Sequence, residues 1–315
     1  RGYFCIGRNR RSCTGAAFGD NLAPISDTTI VSAYTQGAEM RDVVRSRFPL
    51  AISAASISAV VFLVFGGGGE VRPLPEMQAS LNPSGLFMLL ALGIVVVSAL
   101  KGRHIIESLI YGNVAAAFVG MLIGTIRPAD IFSVPAAKGG STGLIQAGID
   151  NVVGAIIFAI LILAVTQILV ECGIMRRILD FAQSTLVATV RQAELFIVGV
   201  TILASIPISA NAPAELLVGP SIVRPLGERF GLAAARRANL MDCAVCTIFF
   251  VLPWHIAVAA WYGALYSAAE NYAIPAPPIS AALYNPYSWA LLAVLLFSAF
   301  TGWNRKYAKD EAPAA

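Results

Sequence analysis

Residues 19 to 29 read Gly-Asp-Asn-Leu-Ala-Pro-Ile-Ser-Asp-Thr-Thr, a polar run in a chain that is otherwise built for lipid. The run holds two carboxylates, an amide, three hydroxyls and a helix-breaking proline. Hydrocarbon offers no water to a broken helix or to an ionised aspartate, so such residues persist at membrane depth only where protein or a cavity encloses them. The run therefore predicts an interrupted membrane helix that lines an ion site.

The composition supports a membrane setting for this run. Hydrophobic residues make up 57% of the 315 residues and charged residues 13%, whereas soluble proteins average about 25% charged. Apolar blocks near the ~20 residues that cross a bilayer occur at 48–66, 84–100, 105–126, 150–170, 195–223, 238–261 and 286–303. We expect an all-α, multi-pass membrane protein rather than a soluble enzyme.

Lysine and arginine lie mainly in the short segments between these blocks. The net charge is +4, but the cations form no single stripe, so we expect the lipid bilayer and no nucleic acid as a partner. Cationic clusters occur at 41–47, 101–103, 176–191 and 224–237. The positive-inside rule assigns these clusters, Arg47 included, to the cytoplasm. By the same rule Arg305 and Lys306 place the C-terminus in the cytoplasm, beneath the inner cell membrane.

The block at 195–223 is flanked at both ends by cationic clusters that the positive-inside rule assigns to the cytoplasm. A helix that crosses the membrane once does not fit this pattern. We predict a re-entrant hairpin in which 195–206 enters, 207–213 turns and 214–223 returns. Polar residues near the tip have two interpretations, as ligands that complete a cation shell or as groups that satisfy the turn's own backbone. These residues are Ser209, Asn211 and Glu215.

Residues 15–66 and 238–303 share one order of features. Each has an apolar helix interrupted by an acidic, proline-bearing stretch, then a connector and a plain apolar span. The interruptions hold Asp20, Pro24 and Asp27 in the first case and Asp242, Pro253 and His255 in the second. The predicted topology runs them in opposite directions, as in the inverted repeats of secondary transporters with discontinuous helices. We expect their half-helix ends to meet near the midplane around an ion.

The same residues resemble a known family. Gly19 to Thr29 is similar to the Gly-Asp-x-x-Ser/Ala-Pro-x-Ser-Asp-Thr-Thr signature of the NhaC-type Na+/H+ antiporters, in the ion transporter superfamily. Asp242 with Leu252-Pro253-Trp254 resembles that family's later acidic segment. The resemblance implies inverted repeats with re-entrant hairpins, a sodium site near the hairpin tips, a nearby proton carrier and a homodimer. His255 stands where that family commonly has Asn, which leaves the ion or substrate open.

The resemblance also implies a domain organisation with an incomplete first repeat. Residues 1–14 are basic where the family has an apolar segment, so we expect a truncated or aberrant start. The expected segments are then the tail of the first repeat at 15–66, an external linker at 67–83, the second repeat at 84–303 and a cytoplasmic tail at 304–315. Because a transporter of this kind needs both halves, we expect no sodium-dependent proton flux from this chain alone.

The first interruption gathers oxygen ligands suited to a hard cation. The predicted sodium ligands are Asp20, Asp27 and Thr28, and the same stretch adds Asn21, Ser26 and Thr29. A buried carboxylate that needs either a cation or a proton binds the two in competition, which is exchange. The structural alternative makes Asp20 a helix cap and residues 26–29 a turn that opens the next helix.

The second interruption offers two further proton carriers, Asp242 and His255. The structural alternatives are a helix start at the membrane interface for Asp242 and hydrogen bonds to freed carbonyls for His255. Cys243 and Cys246 form a CxxC inside an apolar run, where small packing residues are a simpler interpretation than metal or redox use. No cofactor is expected beyond transported Na+ and H+.

These features discriminate among three classes of function. Exchange of Na+ for H+ across the cytoplasmic membrane by a secondary active transporter accounts for both interruptions and for Asp20 and Asp27. A Na+-coupled antiporter of small organic anions of the malate/lactate type, or of amino acids, shares the fold and is favoured if Arg224 or His255 reaches the cavity. An enzyme is not expected, because His104 and His255 stand in no HExxH, GxSxG or paired-Asp motif.

Overall fold

The computed structural model describes residues 14–23, 26–65, 83–101, 103, 105–133, 143–259, 261–263 and 278–308. The basic start up to residue 13, Pro24, the linker at 67–82, His104 and the tail from residue 309 lie outside the described residues. The described chain is helical, and its β interaction is an isolated antiparallel bridge between Leu232 and Tyr307. This agrees with the predicted all-α class.

The helices are numbered in chain order, beginning with α1 at 14–22, α2 at Asp27–Gln36 and α3 at Met40–Phe65. Next come a 3-10 turn at Pro83–Met88, α4 at Leu89–Leu100, α5 at Ile105–Leu122, α6 at Pro128–Ile131, α7 at Leu144–Glu171 and α8 at Ile174–Phe181. A π turn at Ala182–Leu186 precedes α9 at Val190–Ile208, α10 at Asn211–Val218, a second π turn at Gly219–Val223 and α11 at Arg224–Arg229. The last elements are α12 at Ala234–Ile248, α13 at 256–259, a 3-10 turn at Ile279–Tyr284 and α14 at Pro286–Thr301.

The apolar blocks predicted at 48–66, 84–100, 105–126, 150–170 and 286–303 fall largely on helices, whereas those at 195–223 and 238–261 are each divided into shorter helices. Of the described helices, α3 and α9 are long and apolar enough to cross a membrane. Shorter apolar helices occupy Leu86–Ser98, Ile106–Leu122 and Pro286–Thr301.

Two compact units share the chain, one with residues 1–69 and 162–315 and the other with residues 70–161. In the second unit, α4 and α5 form a helical hairpin. Gly112 of α5 lies so close to α4 that an added Cβ would overlap the Val95 side chain. A small residue at this point therefore allows the two helices to approach closely.

The first unit is built around α12. Every residue from Ala235 to Thr247 is buried, and α12 contacts α2, α3, α9, α10 and α14. Because α12 also contains Arg236, Arg237 and Asp242, these groups must find partners inside the protein. The predicted alternative of an interfacial helix start for Asp242 is wrong, since this residue is fully buried about two turns inside α12.

Two interruptions divide helices of this unit. The first break lies between the end of α1 at residue 22 and the start of α2 at Asp27, and the second break, residues 249–255, separates α12 from α13. Both fall where the polar and proline-bearing stretches were predicted to interrupt helices.

The segments on either side of these breaks pack in opposite directions. Thr29 of α2 contacts Asp242 of α12, and Gln36 contacts Arg237, so numbers rise on one helix while they fall on the other. These opposite directions are what the inverted-repeat interpretation requires. The internal symmetry itself stays a prediction.

The helices α3 and α14 are also antiparallel. The Asn304 side chain, just beyond α14, donates to the carbonyl of Ser46 near the start of α3. Further along, Ile57 of α3 and Val294 of α14 line one groove. The uninterrupted helix that follows the first break, α3, therefore packs antiparallel to α14, which follows the second break.

The block at 195–223 forms a helical hairpin with a shorter turn than predicted. The helix α9 continues through Pro207 to Ile208, and α10 begins at Asn211, so the hairpin tip is Ser209 and Ala210. Pro213 falls in the first turn of α10, where its missing N–H removes no helical hydrogen bond. The predicted turn over 207–213 was therefore too long, and re-entrant insertion stays a prediction.

The charge counting used for topology treated several buried arginines as loop cations. Arg47, Arg236 and Arg237 are 0%, 1% and 5% exposed, and each is paired within the protein. Arg41 and Arg45, in contrast, are exposed. The positive-inside rule describes solvated cations, so the buried three do not support the orientation, which stays a prediction.

Candidate functional site

The first break is bridged by a hydroxyl. Ser26 is the N-cap residue of α2, and its Oγ donates to Asp20 Oδ1 at 2.8 Å and lies 3.0 Å from Thr28 Oγ1. Asp20 stands in the last turn of α1 and is therefore not the helix N-cap of the structural alternative. A carboxylate is disfavoured at the negative end of a helix dipole, so its position here calls for another stabilising partner.

Asp27 has a different environment. Its side chain is exposed, and Oδ1 accepts a hydrogen bond from the Thr28 N–H at 2.9 Å. This contact matches the alternative in which residues 26–29 open the helix α2. A sodium ligand at Asp27 stays a prediction.

Asp242 forms an ion pair with Arg47, which projects from α3 and is completely buried. Arg47 Nη2 pairs with Asp242 Oδ2, while Nη1 donates to the Asn21 carbonyl at 2.8 Å and to Thr29 Oγ1 at 2.7 Å. Arg47 Nε donates to Asn239 Oδ1 at 3.0 Å. The guanidinium therefore joins both sides of the first break to α12.

Other donors also surround the Asp242 carboxylate. The hydroxyls of Thr29 and Ser32 lie 3.3 Å and 3.5 Å from Oδ2, and Cys246 Sγ lies 3.4 Å from Oδ1. Cys243 Sγ lies 3.9 Å from Asn21 Nδ2. Both oxygens of Asp242 thus have partners, and the CxxC contributes to the wall of this cluster.

The returning helix of the hairpin brings two more polar side chains to the same region. Glu215 and Asn211 of α10 are 0% and 3% exposed, and α10 contacts both α2 and α12. Among the described residues, no hydrogen-bond partner reaches either oxygen of Glu215 or either polar atom of the Asn211 side chain. Buried polar groups without partners carry a large desolvation cost.

One of the two carboxylate oxygens of Asp20, Oδ2, is also buried without a hydrogen bond from the described residues. The charges of Asp20, Asp27, Asp242 and Arg47 all act on the Glu215 carboxylate. The structure therefore brings Glu215 of the predicted hairpin and the predicted acidic residues of the two interruptions into one electrostatic cluster.

The composition of this cluster limits the kind of ion it can hold. No three His, Cys, Asp or Glu side chains among the described residues converge as a metal site would require. A hard cation here would combine one or two carboxylates with hydroxyl, amide and carbonyl oxygens.

The hairpin tip is attached to the second break by its backbone. The Ser209 carbonyl accepts from the Ile256 N–H at 3.1 Å, and Trp254 Nε1 donates to the Ile206 carbonyl at 3.2 Å. Ser209 has a φ of 60°, in the left-handed region. The structure thus assigns a backbone contact to Ser209, and a cation contact of its hydroxyl stays a prediction.

His255 is fully buried at the end of the second break. Its Nδ1 accepts a hydrogen bond from the Ala257 N–H at 3.4 Å, and its ring lies edge-on to Phe249 with centroids 4.8 Å apart. Within the described residues Nε2 has no hydrogen-bond partner. The predicted hydrogen bonds to freed carbonyls are not among the contacts of the described residues, and a proton-carrying role stays a prediction.

Arg224, which would favour an organic anion if it reached the cavity, points elsewhere. Its side chain is half exposed and forms an ion pair with Glu228 at 2.9 Å. The condition that would favour anion transport through Arg224 is therefore not met.

The sequence interpretation missed four polar members of the cluster: Arg47, Ser32, Asn239 and Tyr287. The Tyr287 hydroxyl donates to Asn21 Oδ1 at 3.2 Å. For Arg47 a signal existed, because its spacing from Val43 and Leu50 places it on the buried stripe of α3. The other three carry no such signal.

Comparisons with known proteins match this chain to antiporters. The model of the Na+/H+ antiporter family matches residues 10–67, which include the first break and Arg47. An uncharacterized Na+/H+ antiporter of Haemophilus influenzae is 22% identical over 287 residues, covering 82% of this chain and 59% of the relative. The arginine/ornithine antiporter ArcD of Halobacterium salinarum is 25% identical over 323 residues, covering 94% of this chain and 62% of the relative. No solved structure gives a significant match.

The interrupted, antiparallel helices thus occur in a chain that is similar to two proteins named as antiporters. The chain spans about three fifths of the length of the curated relatives it matches. The family match over residues 10–67 and the Haemophilus relative show that this chain is similar to Na+/H+ antiporters. Its relatives are transporters rather than enzymes.

Proposed function

We propose that this chain forms the cation site of a secondary active antiporter that exchanges Na+ for H+. The buried Glu215 carboxylate, for which the described residues supply no hydrogen-bond partner, carries the proposal. Such a group is stable when it holds a proton or when a cation neutralises it. Because each ion displaces the other from the same carboxylate, the two bind in competition, which is the basis of exchange.

The proposed cation ligands are the buried oxygens to which the described residues supply no hydrogen bond. Glu215 offers two, and Asp20 Oδ2 and Asn211 Oδ1 offer one each. Hard cations prefer such oxygen ligands. Ser26, which already contacts Asp20, is close enough in the chain to join them.

The excess of negative charge in the cluster favours a cation over an organic anion as the transported species. The carboxylates of Asp20, Asp27, Asp242 and Glu215 outnumber the guanidinium of Arg47 in this cluster. An anionic substrate would meet an unfavourable potential here. We therefore place Na+/H+ exchange before exchange of malate or lactate.

Exchange of cationic amino acids is the second candidate. The relative named as an arginine/ornithine antiporter covers 94% of this chain. A guanidinium or ammonium group pairs with carboxylates, so the same acidic cluster suits such a substrate.

The setting of this activity belongs to the proposal as well. We place the protein in the inner cell membrane with a cytoplasmic C-terminus, on the distribution of exposed cations. A homodimer rests on the family resemblance.

Competition between Na+ and H+ can be measured on the purified 315-residue chain in weakly buffered detergent solution. Adding NaCl should release protons and should saturate with bound radioactive sodium, whereas choline chloride should do neither. Glu215→Gln should abolish both signals, and Glu171→Gln, at an exposed position, is the matched control that should keep them. Absence of both signals in the unmodified chain would overturn Na+/H+ exchange. Binding of labelled arginine by that chain would establish the second candidate.

A further inference from the structure

We propose that Arg47 is a positioning residue that keeps Asp242 out of ion exchange, so that Asp242 orders the site while Glu215 and Asp20 hold the transported ions. This inference rests on the proposed function. It assigns the buried acids different roles according to whether the protein already supplies a counter-charge.

The contacts of Arg47 make it a fixed cation. All three of its guanidinium nitrogens have partners, and these partners come from α1, α2 and α12. Moving the side chain away would break all of these contacts in a fully buried place. A planar guanidinium suits such a role because its donors have a fixed geometry.

Asp242 and Glu215 differ sharply in their surroundings. Asp242 is already neutralised by Arg47 and accepts further hydrogen bonds at both oxygens. Glu215 is equally buried, yet the described residues supply no partner to either oxygen. A cation would have to displace a guanidinium to reach Asp242 but displaces no protein contact of Glu215. The cation therefore binds Glu215.

The charge of Arg47 also acts beyond its ion pair. Its positive charge interacts with the carboxylates of both Glu215 and Asp20. Removing only Arg47 or only Asp242 changes the local charge by one unit, whereas neutralising both leaves the local sum unchanged. The pair can therefore be separated experimentally from the exchanging acids.

The test uses Arg47→Gln, Asp242→Asn and the double variant in the full chain, with Na+-evoked proton release and sodium binding as readouts. Each single variant leaves a buried charge unpaired and should lose most of the folded, monodisperse protein. The double variant should recover the folded fraction and keep Na+ affinity within about tenfold.

The pH profile supplies a readout that a purely structural role would not move. In whatever folded protein the single variants give, the pH of half-maximal proton uptake in Na+-free solution should rise for Arg47→Gln and fall for Asp242→Asn, because the nearby acids lose a positive or a negative neighbour. In the double variant it should return to the original value.

A folded double variant without Na+-evoked proton release would overturn the inference, because Asp242 would then be an ion carrier. Arg47→Lys gives an independent test that does not need the double variant to fold. It keeps the charge but loosens the pairing, and Na+ affinity should stay within about threefold. An increase of about tenfold or more would mean that Na+ competes with residue 47 for Asp242, which also overturns the inference. If the unmodified chain gives no Na+ signal, the proposed function itself has failed, so the two failures are distinguishable.

Discussion

The Ser209 carbonyl accepts a hydrogen bond from the Ile256 N–H, which joins the hairpin tip to the start of α13, directly after the second break. Arg47 joins the two sides of the first break to α12 in a similar way. The candidate site is thus framed by irregular backbone held through specific polar contacts. Rigid framing of this kind keeps the Glu215 carboxylate, to which the described chain donates no hydrogen bond, in a defined place.

Ser209 offers a direct test of the hairpin tip. Its φ of 60° is in a region that costs an L-residue roughly 1–2 kcal/mol and glycine almost nothing. Glycine also loses more entropy on folding, so Ser209→Gly should leave thermal stability close to unchanged. Ser209→Val should lower it by about 2 kcal/mol or more, because a β-branched residue fits this conformation poorly. Thermal unfolding in detergent measures both, and equal stability of the two variants would contradict the left-handed turn.

Gly219 should be intolerant of a side chain because of the contact between α2 and the segment after α10. A Cβ at this position would lie 2.8 Å from Thr35 Oγ1 and 3.0 Å from Thr35 Cβ. We expect Gly219→Ala to destabilise the protein by about 1–3 kcal/mol, as overpacking does. The measurement is thermal unfolding of the purified variant.

Gly199→Ala is the matched control for this substitution. Nothing lies within 4 Å of a Cβ at Gly199, which is inside α9. Alanine there should be neutral or should stabilise the helix by up to about 1 kcal/mol. Equal losses from both variants would show that the effect at Gly219 is not caused by Thr35.

The positions of the two breaks could be predicted from the sequence. Polar residues and prolines inside apolar runs are costly in lipid, so the interruptions near Asp20 and before His255 follow from local composition. The structure has its interruptions at these places, between residue 22 and Asp27 and at 249–255. The opposite directions of the two broken helices were predicted from the topology that the positive-inside rule gives.

The pairing of buried charges could not be predicted in this way. Arg47 and Asp242 are far apart in sequence, and counting cations treats a paired arginine like a solvated one. Asp27 is a second case, because the sequence left open whether it binds a cation or opens a helix, and the structure places its exposed side chain at a helix start. Tertiary packing decides both cases, and local composition does not encode it.

Glu194 should be among the residues most important for stability outside the candidate site. It is fully buried, with Oε1 2.8 Å from Arg236 Nε and Oε2 2.7 Å from Arg305 Nη2. Glu194→Gln leaves two guanidinium groups without a counter-charge, so we expect a loss of about 3–5 kcal/mol. Arg305→Gln should cost less, because Glu194 keeps Arg236 and the Arg305 side chain is partly exposed.

This ion-pair contribution should not depend on pH in the working range. The hydrogen bond to Glu194 raises the pKa of Arg305 above its ordinary value. A raised pKa of a cation gives stability that is fully present below the unfolded pKa and is lost only as pH rises through the folded pKa, which is far above neutrality. The gap in melting temperature between Arg305→Gln and the unmodified chain should therefore be constant from about pH 6 to about pH 9. A gap that closes within this range would contradict a pH-independent contribution of the Arg305–Glu194 ion pair.

Asp20 and Asp27 should behave differently although the sequence gives them equivalent roles. Asp20 has a buried oxygen without a partner in the described chain, whereas Asp27 is exposed and accepts from the Thr28 N–H. Asp20→Asn should therefore abolish Na+-evoked proton release. Asp27→Asn should retain it and lower stability by about 0.3–1 kcal/mol, the usual value of an acidic residue at a helix start. Each side chain keeps its size, so a difference between the variants reports charge. Equal loss of the Na+ signal in both would instead support the predicted sodium site shared by the two carboxylates.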